Sequence, residues 1–208
     1  MLHHNTIDTN TFRTLQSLFQ KDYLKSFALA GGTSLSLQFG HRKSIDIDLF
    51  AFEDVEMNEI ALQLENDYTD FKLNKVTRSF IFCFINGIKS DFVKHSNNLI
   101  IKQIITEEGL KMFSAEDIGA MKLAAICGRG VKKDFYDLYM LFQHFSLKDL
   151  LLWHDEKFKS DNSWMALRSL QYFVDAEETE QPELVITFPS WEKIKKFIID
   201  KVNEYRIN

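Results

Sequence analysis

Two aspartates one residue apart, Asp46 and Asp48, lie in the apolar run Ile45-Asp46-Ile47-Asp48-Leu49-Phe50. In a strand, residues i and i+2 project from the same face. The pair therefore stands side by side, while Ile45, Ile47 and Leu49 point into a core. Neighbouring carboxylates repel at neutral pH unless positive charge lies between them. Carboxylate oxygens suit hard cations such as Mg2+ or Mn2+, and Mg2+ is commonly held by a few carboxylates plus substrate phosphates. Asp91, in Ile88-Lys89-Ser90-Asp91-Phe92-Val93, is a third candidate ligand on an adjacent strand. Taken alone it reads as a solvent-facing residue of an edge strand; with the upstream pair it would complete a two-metal arrangement for phosphoryl or nucleotidyl transfer.

The residues before the pair suit a phosphate. Gly31-Gly32-Thr33 follows the short apolar run Phe27-Ala28-Leu29-Ala30. Glycines let backbone approach a phosphate closely, and amides opening a helix face it with a favourable dipole. Thr33 or Ser34 could add a hydroxyl. A Gly-Gly pair alone usually marks only a tight turn, so its place just ahead of the acidic strand carries the weight. In the basic hairpin His41-Arg42-Lys43-Ser44, Arg42 ranks first as a phosphate contact for its bidentate geometry; a solvated loop is the alternative. Ser44 shares the strand face of Asp46 and could hydrogen-bond a metal ligand.

Further along, Lys122 sits among Met121, Leu123, Ala124 and Ala125, an awkward place for a charge without a phosphate or Asp137 to meet. Arg129, seven residues on, shares nearly the same helix face. Asp134 and Asp137 share a face at i and i+3. A helix-to-helix salt bridge explains Asp134 nearly as well as a functional role does; Lys122 is assigned to the triphosphate.

The elements that must position these groups follow from periodicity. Apolar residues at helical spacing predict a helix over 8–25. Thr33 caps a helix over 34–39 that stops at Gly40. A strand over 45–51 carries the aspartates, a helix covers 56–67, and β-rich runs follow at 70–77, 79–86 and 88–95. Asn86-Gly87 between the last two is a hairpin signal. Ser114-Ala115-Glu116-Asp117 opens a helix with a capping-box pattern, closed by Gly128-Arg129-Gly130. Helices are then expected over 132–143, 147–158 and 160–175, with an exposed acidic loop over 176–182 and a terminal helix from about Ser190. The fold class is α+β: a mixed sheet with flanking helices over 1–113, then a helical part over 114–208 that packs against it.

With 208 residues, 45% of them hydrophobic and 19 of them Phe, the chain can build a substantial core. A formal net charge of −5 argues against non-specific coating of nucleic acid, though not against a local basic groove. The two cysteines, Cys83 and Cys127, lie in apolar segments and are expected reduced and buried. His3-His4 reads as part of a frayed terminus. No signal-like segment or membrane-length apolar run is apparent, so a cytoplasmic protein without membrane contact is expected.

Together these residues resemble the AbiEii/AbiGii family of nucleotidyltransferase-like proteins, toxins of type IV toxin–antitoxin and abortive-infection systems within the DNA polymerase β-like superfamily. The family pattern of a Gly-Gly-Thr turn and His-Arg-x-Ser-x-Asp-Ile-Asp-Leu-Phe matches Gly31–Thr33 and His41–Phe50; its later Lys/Ala helix and Lys/Arg-Asp-x-Tyr-Asp-Leu segment match Lys122, Ala125, Arg129 and Lys133–Leu138. The resemblance implies a polymerase β-like sheet followed by a helical domain closing the active-site cleft. It implies metal at Asp46 and Asp48, and Lys122 with Asp137 or Asp134 at the nucleotide. It further implies transfer of NMP from an NTP to RNA, with tRNA as acceptor, and a cognate antitoxin regulator. Transfer to a protein side chain and a catalytically inactive nucleotide-binding module are the alternatives. The chain after about 145 matches no pattern of that kind.

Overall fold

The computed structural model describes residues 1–95, 99–159 and 163–207. Strands β1 (Phe27–Leu29), β2 (Ile47–Ala51), β3 (Phe71–Val76), β4 (Phe80–Ile85), β5 (Ile88–Lys94), β6 (Ile105–Glu107) and β7 (Leu110–Met112) form one mixed sheet in the order β3-β4-β5-β2-β1-β7-β6. The alternation of β1 divides the core between the two faces. Phe27 and Leu29 join Ile47, Leu49, Ile81 and Phe92 against Leu15, Leu18, Ile60 and Leu64. Ala28 and Ala30 face the other way, toward Leu35, Phe113, Ile118 and Leu141.

Helices α1 (Thr9–Phe19) and α3 (Met57–Asp67) supply the first layer. Helix α2 (Gly31–Phe39) follows β1 directly, and α4 (Ala115–Gly128) and α5 (Lys132–Leu141) cover the opposite side. A third cluster joins α4 and α5 to α6 (Leu147–Phe158), α7 (Ser163–Ser169), α8 (Val174–Glu177) and α9 (Trp191–Ile207) through Leu123, Phe135, Leu150, Leu167, Ala176 and Ile198. Among the described residues, no helix is long and apolar enough to cross a membrane.

Several local expectations are corrected. Helix α1 stops at Phe19, and a separate 3-10 turn at Asp22–Leu24 leads into β1. Helix α2 begins at Gly31 with Ala30 as its N-cap, so Thr33 does not cap it; the positive φ of Gly31 (63°) lets the chain turn straight out of β1. Ile45 precedes β2 and is 66% exposed, whereas Ile47 and Leu49 are buried as expected. Strand β5 lies between β4 and β2, so Asp91 is not on an edge.

The hairpin β6–β7 was not anticipated, because three-residue strands are too short for periodicity to register. Its turn, Glu108-Gly109, has the paired positive φ values (52° and 79°) also found at Asn86-Gly87 (53° and 76°). The helix expected over 160–175 is two helices broken around Tyr172; its start at 160–162 lies outside the described residues. The acidic segment is partly structured, since Glu177 ends α8 and binds Lys195 and the Trp191 indole. The N-terminus is docked rather than frayed: the His3 amide donates to Leu37 O at 2.9 Å, and His4 pairs with Glu108 at 2.7 Å.

Candidate active site

Strand register sets the acidic cluster. Strand β2 runs parallel to β5, and Asp48 stands directly opposite Asp91. Asp46 sits one residue before β2, on the approach from α2. The Thr33 hydroxyl holds that approach, lying 2.9 Å from Ser44 Oγ and hydrogen-bonding the Asp46 carbonyl. Thr33 is thus committed to positioning the chain ahead of the aspartates.

The glycines make room for this arrangement. A Cβ on Gly31 would collide with the Asp48 carboxylate, and one on Gly32 would collide with the Arg42 guanidinium. The start of α2 therefore lies against the acidic cluster on one side and Arg42 on the other. Gly31, Gly32, Ser44 and the three aspartates border a polar cavity of about 100 Å3, and Lys122, Arg42 and Arg129 reach it from the helical side. That volume is small beside the roughly 300–1,000 Å3 typical of sites for whole organic ligands. It suits ions and phosphate groups.

Beneath the cavity lies a buried ionic network. Asp137 receives Arg42 Nε at 2.6 Å and Nη2 at 2.8 Å, His41 Nε2 lies 2.7 Å from it, and Lys122 Nζ 2.6 Å. Lys122 also reaches Asp134 at 2.9 Å, and Arg129 Nε lies 3.4 Å from the other Asp134 oxygen. The Arg42 fork expected for phosphate is thus closed on Asp137, because a cation with 3% exposure needs a counter-ion. The basic segment is no surface hairpin: His41 and Arg42 are buried, and Arg42 bridges to Leu184. Asp134 and Asp137 form the floor and do not line the cavity.

Burial alone would raise Asp137, but Arg42 and Lys122, with hydrogen bonds from Arg42 and His41, hold it well below the usual carboxylate range. Burial works against the Lys122 ammonium too, and Asp137 and Asp134 outweigh it and raise its affinity for the proton. Asp48 behaves oppositely. Burial first, then the charges of Asp91 and Asp46, push its carboxyl upward. A site that leaves one carboxyl reluctant to ionise is short of positive charge.

Two lysines partly supply it. Lys89 Nζ lies 2.8 Å from Asp91, and Lys133 Nζ 3.4 Å from Asp46. Neither carries a site expectation from the sequence. Lys89 is two residues before Asp91, so the same strand alternation that paired Asp46 with Asp48 would have found it. The other Asp91 oxygen, Oδ1, is buried without a hydrogen-bond partner. Among the described residues, no three His, Cys, Asp or Glu side chains converge tightly enough to form a ready coordination sphere. The donor set nonetheless suits a hard divalent cation: Asp48 and Asp91 stand opposite one another on neighbouring strands, Asp46 lies just before Asp48, and one Asp91 oxygen is without a hydrogen-bond partner.

The sequence profile described as nucleotidyl transferase AbiEii toxin, type IV toxin–antitoxin system, matches residues 13–200. An uncharacterised protein of Aquifex aeolicus (strain VF5) is 31% identical over 202 residues, 93% of this chain and 95% of the relative. A crystal structure assigned as a nucleotidyltransferase from H. pylori superposes with a TM-score of 0.54 at 18% identity, over 95% of both chains. The MenT4 nucleotidyltransferase toxin of Mycobacterium tuberculosis aligns over 94% of this chain and 84% of its own, with 14% identity and a TM-score of 0.49. With a family profile spanning nearly the whole chain and a shared α+β fold, the protein belongs to the AbiEii family of nucleotidyl transferase toxins of type IV toxin–antitoxin systems, and it is a nucleotidyltransferase.

Proposed function

We propose that this toxin acts in the cytoplasm, transferring a nucleoside monophosphate from an NTP to RNA, with tRNA as acceptor. Mg2+ or Mn2+ would be held by Asp46, Asp48 and Asp91, and when bound it supplies neutralisation of triphosphate charge. The observation that carries the reading is the Asp48–Asp91 register pair, with Asp46 beside it and Gly31 packed directly on Asp48.

The chain's own residues have distinct tasks. The amides opening α2 at Gly31 and Gly32 face the phosphates, with Ser44 beside them. Lys122 and Arg129 offset phosphate charge from the helical side. Arg42, Asp134 and Asp137 position Lys122 from below, and Thr33 holds the approach to Asp46. Asp91 takes the proton of the attacking RNA hydroxyl as the hydroxyl oxygen bonds to the α-phosphorus and pyrophosphate leaves.

The test incubates wild type and Asp46→Ala with each labelled NTP and cell lysate, followed by RNase or protease. Label removed by RNase, absent with Asp46→Ala, and mapped to tRNA 3′ ends by sequencing is the expected result. Label that survives RNase and yields to protease would move the acceptor to a protein. Wild-type transfer retained by a folded Asp46→Ala protein would refute the assignment of the acidic cluster.

A further inference from the structure

A second cavity, of about 430 Å3, opens where the end of α4 meets the break between α7 and α8. Arg129 borders both it and the acidic cavity, so the two are contiguous across one side chain. Arg168, Ser169, Gln171, Tyr172 and Asp175 complete the wall that matters here. The Tyr172 side chain is half exposed, and the Arg168 guanidinium lies over the Trp164 ring at 5.6 Å, with Trp164 itself 63% exposed. The broken helix therefore presents two open aromatic rings and an arginine next to a 430 Å3 hollow.

We propose that this cavity is the acceptor subsite, taking the terminal unpaired nucleotide of an RNA strand. The inference rests on the RNA-acceptor reading above and adds the residues that recognise it. Proteins that hold single-stranded nucleic acid combine aromatic faces for base stacking with cations along the backbone. Tyr172 supplies the stacking face, Gln171 can meet a base edge, and Arg129 and Arg168 flank the strand's phosphates. Asp175 is the one acidic lining group among these, placed to accept from a ribose hydroxyl or a base amine. Arg129, which borders both cavities, places this subsite next to the cavity that Asp91 lines. The volume fits a single nucleotide-sized ligand and the chemistry is sequence-tolerant, as an end-capture site requires.

The experiment measures binding of a fluorescein-labelled single-stranded RNA tetranucleotide with a free 3′ hydroxyl to the full chain without NTP. Steady-state transfer to the same RNA follows. Tyr172→Ala should weaken RNA binding roughly 5- to 150-fold, the range stacking on one aromatic side chain supports. It should raise the KM for RNA in parallel while leaving the KM for NTP unchanged; Tyr172→Phe should behave as wild type. Arg168→Gln should reduce the salt dependence of binding by about one unit of log–log slope, an independent readout if loss of the ring disturbs folding. Unchanged RNA affinity in both Tyr172→Ala and Arg168→Gln would overturn the subsite, as would a raised KM for NTP with RNA binding intact. If wild type labels protein and binds no RNA, the acceptor reading fails first and the subsite falls with it.

Discussion

Replacing Asp137 with Asn keeps the side-chain shape and removes the charge at the centre of the buried network. Asp137 is fully buried, receives two hydrogen bonds from Arg42, and lies within bonding distance of His41 and Lys122. An Asn amide offers one acceptor oxygen and turns an NH2 donor toward cations that also donate. Lys122, at 5% exposure, would keep Asp134, while Arg42, at 3% exposure, would lose the carboxylate on which its guanidinium is closed. Removing one partner of a buried ion pair costs about 3–5 kcal/mol, against a total stability of about 5–15 kcal/mol for a natural protein. For a chain of this size, each kcal/mol moves Tm by about 2–4 °C, so a fall of about 6–20 °C is expected by circular dichroism at pH 7. The pH dependence gives a second check. The depressed carboxyl of folded Asp137 contributes stability that is complete above its ordinary value of 3.8 and is lost as pH falls toward the lower folded value. The gap in Tm between wild type and Asp137→Asn should therefore narrow as pH is lowered from 6 to 3. A fall of less than about 2 °C at pH 7, or a gap that widens in acid, would refute the view that this carboxylate anchors the network.

Three further outcomes are expected. Gly31→Ala places a methyl group against the Asp48 carboxylate at φ +63°, so transfer should fall about 5- to 150-fold, by analogy with the cost of about 1–3 kcal/mol for a strained residue, as read by labelled-NTP turnover. Thr33→Val removes the hydroxyl that holds Ser44 and the Asp46 carbonyl, and should cost about 1–3 kcal/mol in urea unfolding with a further loss of kcat. Chelation with EDTA should abolish transfer, with Mg2+ or Mn2+ restoring it; activity untouched by exhaustive chelation would remove the metal from the proposal.

Much of the site was legible because its chemistry is local in sequence. Asp46 and Asp48 sit two apart, so strand geometry alone makes them neighbours, and the Gly31-Gly32 turn lies within twenty residues of both. The capping serine at 114 and the Asn86-Gly87 turn were readable for the same reason: each depends on a few adjacent residues. The limits of α1 and the two-part α7–α8 segment were not, since each depends on packing partners distant in the chain, and the β6–β7 hairpin was not, since its three-residue strands are too short for a period to register.

The partner of each charge was the other thing that distance concealed. Residue types around Lys122 announced a buried cation in need of an anion, and Arg42 announced a bidentate fork. Whether those groups face phosphate or one another depends on how α4 and α5 dock on α2. Docking sets Asp137 between Arg42 and Lys122, some 95 residues from Arg42 in the chain. Likewise, Asp91 joins Asp48 because β5 aligns parallel to β2 in one register, and a slip of one residue would have turned Asp91 to the opposite face. Local composition thus specified the kinds of groups a nucleotidyl transfer site needs. Long-range packing specified which of them touch, because a buried charge is stabilised only by the opposite charge that folding brings to it.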